Sequence, residues 1–214
     1  MEKLKSNIQN MVLVLVGVAL VCGGLLAYVN QLTKPAIEKQ AELTLADGIK
    51  AVLATDNVTV NNTETVTRTV NGKESTYIIY TTDKGVAVES TDPNAFGGKL
   101  KVLVGFDDNG TILGYTLLEH AETPGLGAKA GEWFQKPENG GNSEKASIVG
   151  KSPKTDNFTV SKDGGDIDAI TASTITSRAF LKAVNQAYNV YAGQDAKGID
   201  GKSGASPQKP KEKE

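Results

Sequence analysis

Residues 168–180 read DAITASTITSRAF and place five hydroxyl side chains within seven residues. Apolar residues recur after this cluster at the spacing of an amphipathic helix, and they are Ile175, Ala179, Phe180, Ala183, Val184, Ala187, Tyr188 and Tyr191. The first N–H groups of a helix have no acceptor within the helix, and the helix dipole is positive at that end. The hydroxyls are therefore expected either to cap these donors or to frame a phosphate.

The same segment resembles the flavin-attachment motif of the FMN-binding domain family. That motif reads Asp, two variable residues, Ser or Thr, Gly, Ala and Thr, and its last Thr is esterified to the phosphate of FMN. Asp168 matches the Asp, Thr171 the Ser or Thr, and Thr174 the modified Thr. Ala172 stands where Gly is usual, and Ser173 stands where Ala is usual and adds a rival hydroxyl. The resemblance implies that Thr174 carries FMN covalently.

A second glycine-rich segment, residues 119–129, reads EHAETPGLGAK. Its glycines allow the backbone to approach a flat ligand, which Leu126 can cover on one face. The segment resembles the Glu-Thr-Pro-Gly-Leu-Gly loop of the same family, which borders the isoalloxazine. The resemblance therefore implies that the cofactor is bound by Glu122, Thr123, Gly125, Leu126 and Gly127, together with Asp168, Thr171 and Ser173. The short run Phe-Gly-Gly at residues 96–98 is left open between a plain turn and a functional loop.

An uncharged segment, residues 11–29, predicts one transmembrane helix near the N-terminus. At about 1.5 Å per residue it reaches roughly 28 Å, close to the roughly 30 Å hydrocarbon core of a bilayer. It is longer than the apolar part of a signal peptide. The composition of the whole chain, 39% hydrophobic and 22% charged, is typical of a single domain. A net charge of −2 with dispersed Lys and Arg argues against nucleic acid as a partner.

The rest of the chain predicts an α+β fold, an antiparallel sheet flanked by helices. β-prone runs alternate with turn signals such as Asn71-Gly72 and the DDNG sequence at 107–110. The predicted strands are 58–70, 75–82, 85–89, 100–106, 111–118 and 157–160. The predicted divisions are a cytoplasmic stub (1–10), the span (11–29), a linker helix (30–57), an extracytoplasmic FMN-binding domain (58–192) and a disordered tail (193–214).

Size, a single span and the absence of a further predicted domain narrow the resemblance within the family. In these features the chain is most similar to the flavin subunits of Rnf complexes, which are ion-translocating ferredoxin:NAD oxidoreductases. The related alternative is the equivalent subunit of a sodium-translocating NADH:quinone reductase. This resemblance implies an electron-transfer subunit in the cytoplasmic membrane, with its domain on the extracytoplasmic side. Its expected partners are the other subunits of the redox complex, the lipid bilayer, and a flavin transferase that uses FAD.

Two other kinds of protein remain open from the sequence. One is a membrane-anchored binding module without a cofactor, in which the hydroxyls only cap a helix. The other is a flavin-dependent reductase with its own substrate, for which Glu122 is the one obvious acid or base. His120 is the only histidine, so a site that needs several imidazoles is excluded, and no metal site is predicted.

Overall fold

The computed structural model describes residues 8–55, 57–70 and 73–193. The chain divides into two units, Met1–Thr44 and Leu45–Glu214. The predicted cytoplasmic stub, the predicted Asn71-Gly72 turn and the predicted disordered tail lie wholly or largely outside the described residues.

Helix α1 spans Ile8–Val52, and most of it forms the first unit. Its large apolar side chains are exposed from Ile8 to Leu43. Pro35 lies inside α1, where it removes one backbone N–H from the helix. By length and composition, α1 is the one described helix able to cross a membrane. It contains the segment predicted to do so.

The second unit is built on a five-stranded sheet in which every strand pairs antiparallel with its neighbour in the sequence. The strands are β1 (Val60–Val70), β2 (Lys73–Thr82), β3 (Val86–Ala95), β4 (Gly98–Phe106) and β5 (Ile112–His120). The predicted α+β class is confirmed. β3 runs further than predicted because its pairing with β4 resumes at Ala95, after an irregularity that accommodates Pro93. This extension carries the chain to Phe96.

The sheet is covered on both faces. Alternate residues of a strand point to opposite faces, so Leu100 and Val102 of β4 join one core cluster while Leu103 joins the other. Helix α3, Thr174–Tyr191, supplies the first cluster, and its Phe180 stacks on Phe134 with ring centroids 4.5 Å apart. The last turns of α1, within the second unit, supply the other cluster.

A buried ion pair fixes α3 against β3. The Nζ of Lys182 lies 3.0 Å from Oδ2 of Asp92, and the two side chains are 8% and 0% exposed. Asp92 also accepts the N–H of Asn94 at 2.7 Å. Removing one partner would leave a buried charge uncompensated, so the two residues must stay together. The pair therefore orients α3 on β3, the strand that leads to Phe96.

The segment between β5 and α3 contains helix α2 (Ala130–Trp133) and several short turns. The predicted strand at residues 157–160 is not formed. Val160 makes only an isolated parallel bridge with Ile167, and a 3-10 turn at Ser161–Asp163 follows it directly. The apolar alternation of the predicted strand reflects burial of Phe158 and Val160 in the core.

A tight turn sets the direction in which α3 begins. The carbonyl of Ile170 accepts the N–H of Ser173 at 3.0 Å, and Ala172 lies inside this turn with φ of +61°. The hydroxyl of Ser177 accepts the N–H of Ile170 at 2.9 Å and donates to the carbonyl of Ser173 at 3.0 Å. A non-glycine residue in the left-handed region costs about 1–2 kcal/mol. The turn is therefore held in place by α3 against a local preference of Ala172.

We predict that Ala172→Gly raises the free energy of unfolding by about 0.5–1 kcal/mol. Glycine relieves the backbone strain at this position, and its greater conformational entropy in the unfolded chain offsets only part of that gain. Thermal or urea unfolding of the full chain in detergent measures the change. Ala51→Gly, at an exposed position of α1 in the second unit, is the matched control and is expected to lose about 1 kcal/mol. An equal loss at both positions would contradict the assigned strain.

Candidate functional site

A cleft of about 380 Å³ lies where the β3–β4 connection, the loop after β5 and the start of α3 meet. This volume falls in the range of small-molecule sites. The lining residues come from the two glycine-rich segments and the hydroxyl cluster, and they are Phe96, Glu122, Thr123, Leu126, Gly127, Ala172, Ser173, Thr174, Ile175, Thr176 and Arg178. Six of the nine sequence-predicted site residues line this one cleft, namely Glu122, Thr123, Leu126, Gly127, Ser173 and Thr174.

The Glu122 carboxylate joins the three segments of the cleft. Its Oε1 accepts the backbone N–H of Gly97 at 2.9 Å, and its Oε2 accepts the hydroxyl of Thr176 at 2.6 Å. The side chain is buried, with 6% of the residue exposed. Both oxygens are thus committed to protein donors, which makes Glu122 a structural link rather than a group ready to exchange protons with a ligand.

Two glycines make room for this link. A β-carbon at Gly127 would collide with Oε2 of Glu122 and would lie 2.8 Å from the Thr176 hydroxyl. A β-carbon at Gly97 would collide with the backbone of Ala121, just before Glu122. The glycines of both segments therefore bring backbone against the Glu122 side chain and its neighbour.

The hydroxyls at the start of α3 have different surroundings. Thr176 is committed to Glu122, and Ser177 is committed to the turn before the helix. Ser173 occupies the N-cap position but makes no side-chain capping bond. Thr174 is half-buried, and its hydroxyl has no hydrogen-bond partner within the described chain. The capping interpretation is therefore not supported, and Ser173 and Thr174 are left facing the cleft.

The first turn of α3 also presents backbone donors. The N–H groups of Thr174, Ile175 and Thr176 have no protein acceptor among residues 8–193 where the structure is described. N–H groups that converge at the positive end of a helix are suited to an anion such as a phosphate. The geometry at Thr174 thus fits a phosphate group attached to its own hydroxyl.

Two exposed apolar side chains flank the cleft. Phe96 is 69% exposed and Leu126 is 43% exposed. In the described part of the second unit, Val60 is the other large apolar residue with comparable exposure. The sequence placed Leu126 at the site and left the run containing Phe96 open between a plain turn and a functional loop, and the structure places Phe96 in the cleft lining.

Three predicted site residues lie outside the cleft lining: Asp168, Thr171 and Gly125. The hydroxyl of Ser161 donates to Oδ1 of Asp168 at 2.6 Å, and Lys145 Nζ lies 3.4 Å from the same oxygen. The Ser161 hydrogen bond, aided by Lys145, lowers the pKa of Asp168. Asp168 therefore anchors the turn region as a carboxylate. Gly125, at φ of +75°, allows the loop to turn before Leu126.

His120 has a structural position beside the same loop. Its Nδ1 accepts the backbone N–H of Glu122 at 3.3 Å. Within the described residues, no group of three or more His, Cys, Asp or Glu side chains is arranged to hold a metal ion.

We predict that Gly127→Ala weakens the site because the added methyl group displaces the Glu122 carboxylate from the Thr176 hydroxyl. Losing this buried hydrogen bond should lower the free energy of unfolding by about 1–3 kcal/mol. Gly131→Ala is the matched control, since the nearest atom to its new methyl group is 3.9 Å away. Thermal unfolding of the full chain checks both variants, and an unchanged Gly127→Ala protein would show that the link is not needed.

Two parts of the chain match known protein families. Residues 96–189 match the FMN-binding domain family, and residues 1–52 match the RnfG N-terminal region. The first match covers every residue that lines the cleft.

Relatives along most of the chain are ion-translocating oxidoreductase complex subunits G. The Escherichia coli (strain K12) protein is 37% identical over 175 residues, which cover 77% of this chain and 81% of the relative. The Shewanella oneidensis protein is 35% identical over 79% of this chain and 82% of its own length. The Vibrio vulnificus protein is 32% identical over 75% of this chain and 78% of its own length. These relatives are at least 32% identical over 75% or more of the chain, and the two family matches include α1 and the cleft, so the chain belongs to the family of ion-translocating oxidoreductase complex subunits G.

Proposed function

We propose that this protein is a membrane-anchored electron-transfer subunit that carries FMN covalently through a phosphoester on Thr174. One observation carries the attachment site: Thr174 lines the cleft on the helix turn where its hydroxyl and three backbone N–H groups have no protein partner within the described residues. These donors would stabilise the negative charge of the phosphate. When bound, FMN supplies the redox chemistry, and the protein supplies position and electrostatics.

The remaining cleft residues fit a flat ring attached to this phosphate. Leu126 and Phe96 offer apolar surfaces on the two segments that flank the cleft, while Thr123 offers a polar edge. Gly127 lets the loop backbone lie against the Glu122 carboxylate, which a side chain at this position would meet. A cleft that is apolar with a few placed polar groups is the usual form of a small-molecule site.

Attachment would be a single transfer reaction catalysed by a separate flavin transferase. The Thr174 oxygen attacks the phosphorus on the FMN side of FAD and forms the ester bond. The bond from that phosphorus to the AMP moiety breaks, and AMP leaves with the hydroxyl proton. No electron is transferred in this step, so Thr174 is a permanent tether rather than a group used in turnover.

The family relationship supports a place in a multi-subunit complex. Relatives are named as subunits of ion-translocating oxidoreductase complexes, and residues 1–52 match the RnfG N-terminal region. These matches favour the ferredoxin:NAD oxidoreductase type over the quinone-reductase type. We place α1 in the lipid bilayer and the FMN domain on the extracytoplasmic side, with the other subunits as its electron donors and acceptors.

The two alternative functions have less support. A self-contained flavin reductase would need an acid or base over the ring, but both oxygens of Glu122 are committed to Gly97 and Thr176. A cofactor-free module would use its hydroxyls as caps, yet Ser173 makes no capping bond. The cofactor-free alternative also leaves unexplained the N–H groups of residues 174–176, which have no acceptor within the described residues.

We predict that Thr174→Val abolishes covalent flavin while the fold persists, because it removes the acceptor oxygen and keeps the shape of the side chain. The measurement is intact mass after co-expression with a flavin transferase. Wild type should gain the mass of one FMN less one water.

Ser173→Ala and Thr171→Ala are the controls and should keep the flavin. Loss in Ser173→Ala together with retention in Thr174→Val would move the tether to Ser173. A wild-type mass equal to that of the bare polypeptide in the native membrane would contradict the proposed function.

We also predict that Phe96→Ala leaves the flavin attached but exposes its ring to solvent, since an apolar surface beside the ring is lost. Iodide quenching of flavin fluorescence measures this exposure, which should rise relative to wild type. Val60→Ala removes a similarly exposed apolar side chain on β1, outside the cleft lining, and should not change the quenching. Equal quenching in all three proteins would rule out a contact between Phe96 and the ring.

A further inference from the structure

Arg178 lines the cleft one helical turn after Thr174. Residues four apart lie on the same face of a helix, with their Cβ atoms about 5–6 Å apart. The Arg178 side chain is 5% exposed. Among the described cleft-lining residues, Arg178 is the cation and Glu122 is the anion. Sequence reasoning assigned Arg178 no role, because it follows the recognisable part of the attachment motif.

Asp163 holds the Arg178 guanidinium by a two-point contact. Nε of Arg178 donates to Oδ2 of Asp163 at 2.6 Å, and Nη2 donates to Oδ1 at 2.8 Å. Asp163 is the last residue of the 3-10 turn Ser161–Asp163. This contact raises the pKa of Arg178, so the guanidinium stays charged. It also fixes the plane of the guanidinium, which carries five N–H donors.

The charged side chains at the cleft would affect the binding of a phosphate. Among the cleft-lining side chains, the Glu122 carboxylate opposes an incoming phosphate, and Asp163, which holds Arg178, is a further carboxylate behind the cation. Lys182, the other buried cation of α3, is paired with Asp92. Without Arg178, Glu122 would be the charged side chain left in the described cleft lining, and only backbone donors would favour an anion.

We propose that Arg178 is the charge partner of the FMN phosphate on Thr174 and that Asp163 is its positioning residue. This inference rests on the proposed function and extends it to phosphate recognition. A planar guanidinium is well suited to phosphate oxygens, and a charge-assisted hydrogen bond in a shielded site is stronger than a neutral one. Arg178 thus favours phosphate-bearing flavin at the acceptor, beside donors that have no other partner.

The competing explanation is a purely structural ion pair that ties the Ser161–Asp163 turn to α3. The two explanations differ in what they predict for Asp163. If the pair is only structural, Arg178→Gln and Asp163→Asn break the same contact and have equal effects. If Arg178 serves the phosphate, Asp163→Asn keeps the cation and Arg178→Gln removes it.

The first experiment follows covalent FMN on the full chain in detergent, with FAD and a flavin transferase, by intact mass over time. We expect Arg178→Gln to slow attachment about tenfold or more, the range set by one lost charge-assisted hydrogen bond. Arg178→Lys should fall between Gln and wild type, and Asp163→Asn should stay within about threefold of wild type. Arg68→Gln is the matched control, since Arg68 contacts the other end of α3 at the Asn189 carbonyl.

Equal slowing by Arg178→Gln and Asp163→Asn, with equal losses in thermal stability, would overturn the proposal in favour of the structural pair. Unchanged attachment in Arg178→Gln would overturn it as well, while leaving the proposed function intact. Absence of flavin on wild type under the same conditions would count against the proposed function itself.

A second measurement does not depend on attachment. The full chain without flavin is titrated with FMN and with riboflavin, and flavin fluorescence reports binding. We expect wild type to bind FMN about tenfold or more tightly than riboflavin, and Arg178→Gln to lose this preference. A preference retained in Arg178→Gln would overturn the role of Arg178 whatever the outcome of the first experiment.

Discussion

The hydrogen bonds of one buried carboxylate hold the candidate site together. Glu122 accepts the N–H of Gly97 and the hydroxyl of Thr176, so it connects the β3–β4 loop, the loop after β5 and the first turn of α3. A buried carboxylate is stable only when its oxygens have partners, which means that the three segments must meet. Glu122 itself lines the cleft that these three segments form.

The hydroxyl cluster that opens α3 divides into roles that its composition does not reveal. Thr176 and Ser177 are structural, since one binds Glu122 and the other holds the turn at Ile170. Thr171 is exposed outside the cleft lining, while Ser173 and Thr174 face the cleft. A helix that needed only a cap would use one hydroxyl for its free N–H groups, and here none is so used. The donors at residues 174–176 are thereby kept available for a ligand anion.

Local sequence patterns predicted most of the fold. The DDNG turn fixed the β4–β5 hairpin, and the spacing of apolar residues located α3, because turn chemistry and helical periodicity act over a few residues. The extension of β3 past Pro93 was missed, since it depends on pairing with β4 across an irregularity. The resemblance brought two distant motifs to one site, but the pairing of Glu122 with Gly97 depends on three-dimensional contact. Arg178 was missed because it follows the recognisable motif, and the run at residues 96–98 stayed open because its place beside the cleft depends on the same contact.

An open cleft and a covalent tether are consistent with one another in an electron carrier. Phe96 and Leu126 are 69% and 43% exposed, so they flank the cleft without enclosing it and would leave part of a bound flat ring in water. Affinity that depends on buried area would therefore be modest for a ring held in this way. The proposed bond to Thr174 would remove that requirement, because the ring would then remain at its site without deep burial. The edge of the ring would be free to face a partner, and the exposure that weakens non-covalent binding would permit electron exchange.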